Sequence, residues 1–396
     1  MTVVAKIATE APTGPEMIAR ARALIPTLKA RALQSERDRR LSKETIRDLQ
    51  DAGLFRVVQP KRWGGYELDI LTYYECQMAL AEGDMSVGWV YGVVGVHPWL
   101  VAQLDDHAQH EVWGKDNATL VCSSLMPAGS AKPVPDGFRF SGRWKYASGT
   151  DHTQWAFLGG VVDPQTRGVF MVPSSDYEIV DTWHVSGLKG TGSHDIVIKD
   201  AFVPAYRFQN YNDSFHGRAP GRAVNSAMLY RLPFGQIFFR GVSTAAIGAL
   251  QAMPDAYLEY GKARVQRGTG QQAAVDPMIQ LLCAEVAAAI DEMKTILHRN
   301  FRTLESYAAR HEMPPTAQRI QYKFHSATVA ERCQQLAARL FKAAGAAGIY
   351  EDFPFGRMLA DITAARQHVS NQYEIIGRGA GATLFGIDDY KNDFVL

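Results

Sequence analysis

The spacing of apolar residues changes twice along this chain of 396 residues, and that change limits its architecture more than any single motif. From residue 14 to about 115 the apolar positions recur at helical spacing. From about 119 they alternate, as in strands with one buried face. From about Pro233 they return to helical spacing. Such an order does not build a repeating strand–helix unit. It predicts an α+β protein whose strands are gathered between two helical parts.

The first part predicts a helix over Lys43–Ala52, capped by Ser42 and closed by Gly53, with Ile46, Leu49 and Leu54 on one side. Pro60, Gly64 and Gly65 mark a loop. Leu71–Ala81 and Val87–Leu104 read as apolar helices, and His107–Trp113 as a short one. Six strands are predicted over Thr119–Leu125, Phe138–Tyr146, Trp155–Val162, Gly168–Val172, Glu178–Trp183 and Asp195–Val203. Short strands with turn signals between them fit a small antiparallel barrel or sandwich. A loop of roughly two dozen residues follows Pro204, a length that points to function. Helical segments at 235–267, 274–311, 315–344 and 354–377 then predict an antiparallel four-helix bundle, with an extended tail from Gly379 to Leu396. The expected divisions are a helical domain at 1–117, a β-domain with its following loop at 118–230, and a bundle with its tail at 231–396.

Charge and cysteine use narrow the function. The formal net charge is +1 and the basic residues are dispersed, so neither nucleic acid nor a membrane surface is an expected partner. No apolar run of about 18 residues is present, and no secretory leader is read at the N-terminus. The four cysteines are far apart and match no metal spacing, so no metal is expected and reduced thiols in the cytoplasm are.

One stretch departs from plain strand chemistry. Phe138 to Tyr146 suits a pleated, half-buried surface, and then Ala147, Ser148, Gly149, Thr150 and Asp151 follow, all small or polar. A strand that ends in small residues lets a flat ligand lie against its backbone. By itself it is also an ordinary hairpin end.

The order of helices, β-domain and bundle resembles the acyl-CoA dehydrogenase superfamily over about residues 15–377. Gly187-Leu-Lys-Gly-Thr-Gly-Ser193 with Ile196–Pro204 is similar to that family's strand pair beside the flavin. Ala343–Tyr350 with Arg357 and Asp361 is similar to its last helical pair. Four pieces resemble one branch, the flavin-dependent monooxygenases that serve as oxygenase components of two-component phenol hydroxylases. These are Gly88-Trp89 with Val94–His97, Cys122–Pro127, Ser148–His152, and Asp361 with His368. Hydroxylases of a seco-steroid phenol ring are the nearer likeness, and 4-hydroxyphenylacetate hydroxylases the more distant. Two departures stand out. The family's frequent Arg-Asp pair is Ala360-Asp361 here, and the tail after Arg378 does not follow the seco-steroid hydroxylase.

The resemblance implies a diffusible reduced FMN or FAD, O₂ as co-substrate, and ortho hydroxylation of a phenol through a flavin C4a-hydroperoxide. No Gly-x-Gly-x-x-Gly follows a strand, so a separate NAD(P)H:flavin reductase is the implied partner. His97 is implied as the phenol's base or hydrogen-bond acceptor, although a histidine on an apolar helix is otherwise read as core. His368 is implied near the peroxide oxygen; without the resemblance it reads as a solvated helix residue. Ser148 is expected at the flavin N5 edge beside Gly149, with Ser123 and Ser124 ending the first strand against flavin or substrate. Trp89 and Tyr146 are expected near the ring system. Arg264, with Arg267, is a candidate for the flavin phosphate. The same fold also serves acyl-CoA dehydrogenases and flavin N-oxygenases acting on amino sugars. Against the first, Val369 stands where a catalytic Glu is often found. A non-catalytic helical scaffold is the plainest alternative, and binding of reduced flavin separates it from the rest. The nearly continuous apolar run Ile237, Phe238, Phe239 and Val242 predicts burial between subunits, in a homotetramer built through the bundle.

Overall fold

The computed structural model describes residues 11–263 and 275–387. Seven helices come first: α1 (Gly14–Ala23), α2 (Ile25–Asp38), α3 (Lys43–Asp51), α4 (Ile70–Gly83), α5 (Met85–Val94), α6 (His97–Val101) and α7 (Asp106–Trp113). Ser42 caps α3 by accepting the Thr45 N–H, and Gly53 leaves the helix at positive φ, as its sequence predicts. Asp84 separates α4 from α5 and caps the latter through the Ser86 N–H. The predicted helix over Val87–Leu104 is two helices. Gly95 and Val96 break it, and Pro98, which has no N–H to continue the ladder, sits in the first turn of α6.

The strands are β1 (Val121–Val134), β2 (Gly137–Ala147), β3 (Trp155–Val161), β4 (Arg167–Pro173), β5 (Glu178–Val180), β6 (His194–Pro204) and β7 (Phe208–Asn210). They form one sheet in the order β5-β6-β2-β1-β3-β4-β7, antiparallel except where β1 runs parallel to β3. Its core is aromatic: Phe140 stacks on Phe170 at 4.3 Å, and the buried Trp144 donates to the Gly159 carbonyl. The long loop expected after Pro204 contains β7, α8 (Tyr211–Phe215) and several 3-10 turns.

Six helices complete the described chain: α9 (Phe234–Gly241), α10 (Ala245–Ala263), α11 (Pro277–Ala309), α12 (Thr316–Ala344), α13 (Phe355–Arg366) and α14 (Tyr373–Leu384). The fourth bundle segment is thus a pair, α13 and α14, joined through a 3-10 turn at Val369–Asn371. Asn371 holds that link by donating to the carbonyls of Val242 and Ala365. The predicted extended tail is helical as far as Leu384. The apolar run on α9 is covered by the chain itself: Ile237, Phe239 and Val242 are buried and Phe238 is partly so. That run therefore carries no argument for oligomerisation.

Candidate active site

Two strands and two helical parts meet at the end of β2. Between Trp144 and Ala147 the register to β6 slips by one residue, so β2 carries a bulge. Tyr146 is the residue that absorbs it, at φ 66°, a conformation costly for a bulky side chain. The bulge reverses the inward–outward alternation. Ala147 turns into the core and Tyr146 turns out, 67% exposed, with its ring edge against Trp183. Gly149 follows at φ 70°, and a Cβ there would press on Val90 and Val94 of α5 at 3.0 and 3.1 Å. Glycine thus lets the end of β2 lie directly on α5.

That close approach buries Ser148 against Trp89 of α5. The Trp89 indole N–H donates to Ser148 Oγ at 3.2 Å, and Ser148 Oγ lies 2.7 Å from Ser193 Oγ. Ser193 Oγ is 2.6 Å from Thr191 Oγ1, which donates to the Leu188 carbonyl at 2.8 Å. Leu188 N–H in turn donates to Asp361 of α13 at 2.6 Å. Gly187 allows this contact, since a Cβ there would collide with the Ala360 carbonyl. A set of hydrogen bonds therefore runs from α5 past the end of β2 and the turn before β6 to α13. Burial and the nearby Asp84 carboxyl push Asp361 up to about 7.

His368 joins the same group from the bundle side. Its ring meets Trp89 edge-on, with centroids 5.7 Å apart. It lies in the α13–α14 link and not on a helix, and its Nδ1 accepts the Ser370 N–H at 3.1 Å. With Nδ1 accepting, a neutral ring carries its proton on Nε2. The residue is half-buried, and its ring is packed among neighbouring groups. Desolvation there brings His368 down to about 4.

His97 is the first residue of α6 and fully buried. Its Nδ1 lies 2.6 Å from the Val121 carbonyl, which can only accept, so Nδ1 carries the proton. Nε2 is then a bare acceptor, buried and without a partner among the described residues. Phe157 of β3 and Phe238 of α9 flank the ring at 5.8 and 5.7 Å between centroids. Burial lowers the group to about 3, which makes it a hydrogen-bond acceptor and a poor proton store.

Comparison with known proteins fits this geometry. The family model described as "Acyl-CoA dehydrogenase, N-terminal domain" matches residues 17–118, and the one described as "Acyl-CoA dehydrogenase, C-terminal domain" matches residues 240–373. The oxygenase subunit HsaA of a flavin-dependent monooxygenase from Mycobacterium tuberculosis is 36% identical over 356 residues, covering 89% of this chain and 90% of that protein. The crystal structure of the HsaA monooxygenase from that organism superposes with a TM-score of 0.91 at 34% identity, covering 96% of this chain and all of that one. The chain belongs to the flavin-dependent monooxygenases of the acyl-CoA dehydrogenase fold. The oxygenase component of a FADH₂-dependent resorcinol hydroxylase from a Rhizobium species is 29% identical, covering 94% of each chain.

For a monooxygenase of this family the residues at the β2 end fit a flavin. The site offers a buried hydroxyl at Ser148 and an indole at Trp89, with the exposed ring of Tyr146 two residues before Ser148. Ser123 and Ser124 lie on β1, paired with Phe157 and Leu158 of β3. They do not end β1, which continues to Val134 past an irregularity, and Ser124 Oγ donates to the Lys145 carbonyl at 2.7 Å. The structure brings Trp89, Ser148, Gly149 and His368 together, and Tyr146 stands nearby as an exposed ring against Trp183. Arg264 and Arg267 lie outside the described residues.

Several residues that the structure places around Ser148 and His97 carry no role in the sequence analysis. Ser193 and Thr191 stand in a stretch recognised for its glycines, and their hydroxyls received no role. Phe157 is only one position of the predicted strand Trp155–Val162, and Phe238 belongs to the apolar run expected between subunits. The available signal was the density of hydroxyl residues between Gly187 and the start of β6.

Proposed function

We propose that this chain is the oxygenase component of a two-component system that hydroxylates a phenolic ring ortho to its hydroxyl. Reduced flavin would come from a separate NAD(P)H:flavin reductase. The observation that carries the reading is His97 Nε2, a buried acceptor between two phenyl rings that has no partner among the described residues. A phenol supplies what that position lacks, an O–H donor on a flat apolar body. Accepting that hydrogen bond draws electron density toward the ring's ortho carbon, the step a hydroxylase must assist.

Bound reduced flavin supplies activated oxygen from O₂, and the chain's own residues do the rest. Ser148, Gly149 and Trp89 hold and orient the flavin. His368 offers an Nε2–H to developing negative charge on oxygen. Phe157, Phe238 and the buried wall of α5 keep water away from the reacting centre. The substrate is a small phenol, with a seco-steroid phenol one candidate, and the assembly is a homotetramer. The resorcinol hydroxylase relative uses FADH₂, so reduced FAD is the first flavin to try and reduced FMN the second.

The test combines purified protein, reduced flavin, O₂ and a panel of phenols, followed by product mass. A mass gain of one oxygen on a phenol is expected. Binding of reduced flavin with no oxygenated product from any phenol would sink the reading.

A further inference from the structure

The hydroxyls behind Ser148 have their protons placed in one order, and that order follows from counting donors. The Leu188 carbonyl has no proton to give, so Thr191 spends its single hydroxyl proton on it, at 2.8 Å. The 2.6 Å contact between Thr191 and Ser193 then needs a proton, and only Ser193 can supply it. Ser193 has none left for Ser148, so Ser148 donates across their 2.7 Å contact. The Trp89 indole, which can only donate, also points its N–H at Ser148 Oγ. Ser148 Oγ therefore meets any further ligand with a lone pair alone. Trp89, Ser148, Leu188, Thr191 and Ser193 are all less than 7% exposed, so bulk water does not reset the order. Reversing it would turn Thr191 Oγ1 and the Leu188 oxygen into two acceptors 2.8 Å apart.

We propose that Thr191 and Ser193 are positioning residues that make this site select reduced over oxidised flavin. The proposal rests on the reading that the flavin lies against Ser148. Reduced flavin carries an N–H on its central ring where oxidised flavin has a bare nitrogen lone pair. An acceptor-only Ser148 welcomes the first and repels the second. The selection matters because oxidised flavin is also present wherever a reductase recycles it. The anchor is separable from the fold: the Leu188 carbonyl also accepts the Trp183 indole N–H at 2.9 Å, so it stays satisfied if the Thr191 hydroxyl is removed.

The experiment is an anaerobic titration of the full chain with FAD and FMN, each oxidised and reduced, reading the ratio of oxidised to reduced Kd. Thr191→Val lets Ser193 donate to Ser148, and Ser193→Ala removes the acceptor of the Ser148 proton. Both free Ser148 to donate. Each should narrow the ratio about tenfold, the weight of one hydrogen bond. The bound two-electron couple should then fall by about 30 mV. Thr191→Ser keeps the hydroxyl and should keep the wild-type ratio. Thermal midpoints near that of the wild type show that the variants are folded. If Ser148→Ala changes flavin binding while Thr191→Val and Ser193→Ala leave the ratio within twofold, the relay proposal fails and the site assignment stands. If Ser148→Ala changes neither affinity, the flavin does not lie there and both fail.

Discussion

His97 and His368 carry their single ring protons on opposite nitrogens. The Val121 carbonyl takes the proton of His97 Nδ1, and the Ser370 N–H occupies the Nδ1 lone pair of His368. One ring presents an acceptor at Nε2 and the other a donor. Both are held neutral by burial, at about 3 and about 4. Opposite tautomers suit the opposite tasks proposed for them, accepting a phenol O–H at His97 and donating to anionic oxygen at His368.

His97→Ala should separate oxygen use from product. Loss of the acceptor is expected to slow ring hydroxylation by about 10²–10⁴-fold. Reaction of bound reduced flavin with O₂ should remain near normal, and the oxygen should emerge as hydrogen peroxide. Product formed per O₂ consumed measures this. Because His97 stays unprotonated down to about pH 3, no acid limb above pH 5 should disappear in the variant. Wild-type coupling in His97→Ala would remove it from the site.

His368→Ala should fail earlier. Its defect is expected in the oxygen reaction of bound reduced flavin, or in the lifetime of the absorbance transient that follows, with phenol present or absent. Rapid mixing with each histidine variant makes the comparison. Both variants failing at one step would show that the division of tasks is wrong, whatever the enzyme's class.

Periodicity made the succession of helical, sheet and helical parts legible, because each part buries a continuous apolar face. The break before His97 does not show in that periodicity: Pro98 cannot continue α5, yet the unbroken apolar run from Val87 to Leu104 reads as one helix. The bulge at Tyr146 was not legible. It reverses the alternation through a register slip against β6, a strand some fifty residues away, and nothing local marks it. Nor was the Ser148–Ser193–Thr191 relay, since it depends on hydroxyls from two strand ends meeting in space. His368 was placed on a helix because Ala364–His368 has helical composition. The turn forms because Asn371 pins the link to the Val242 and Ala365 carbonyls.

Oligomerisation should proceed through the C-terminal helices, at residues other than the α9 run. Ile375, Leu384 and Phe385 are 62%, 77% and 84% exposed, and Val369 and Ile387 are also exposed. Apolar side chains gathered on one end of a chain mark a contact surface. A homotetramer is expected in sedimentation at micromolar concentration. Ile375→Asp with Leu384→Asp should shift it toward smaller species without lowering helix content. A wild-type monomer at that concentration would end this idea.

Asp361 should make folding stability depend on pH in a direction opposite to the buried histidines. Its carboxyl accepts the Leu188 N–H yet is buried beside Asp84, so its folded value is raised from 3.8 to about 7. Below pH 3.8 both the folded and unfolded chain hold the proton, and the group costs nothing. As pH rises from 3.8 to 7 the unfolded chain has lost a proton that the folded chain retains, so stability falls, and above 7 the full cost is present. Asparagine keeps the oxygen that accepts from Leu188 and cannot ionise. Asp361→Asn should therefore stabilise the protein more at pH 8 than at pH 5, by a difference on the order of 2 kcal/mol. His97, His368 and His325 are lowered by burial and weaken the fold as pH drops below 6.5, but they are the same in both proteins and cancel in the comparison. Urea midpoints at the two pH values read the difference directly. An equal effect of the substitution at pH 5 and pH 8 would mean that Asp361 is ionised at both, and that the Leu188 N–H outweighs its burial beside Asp84.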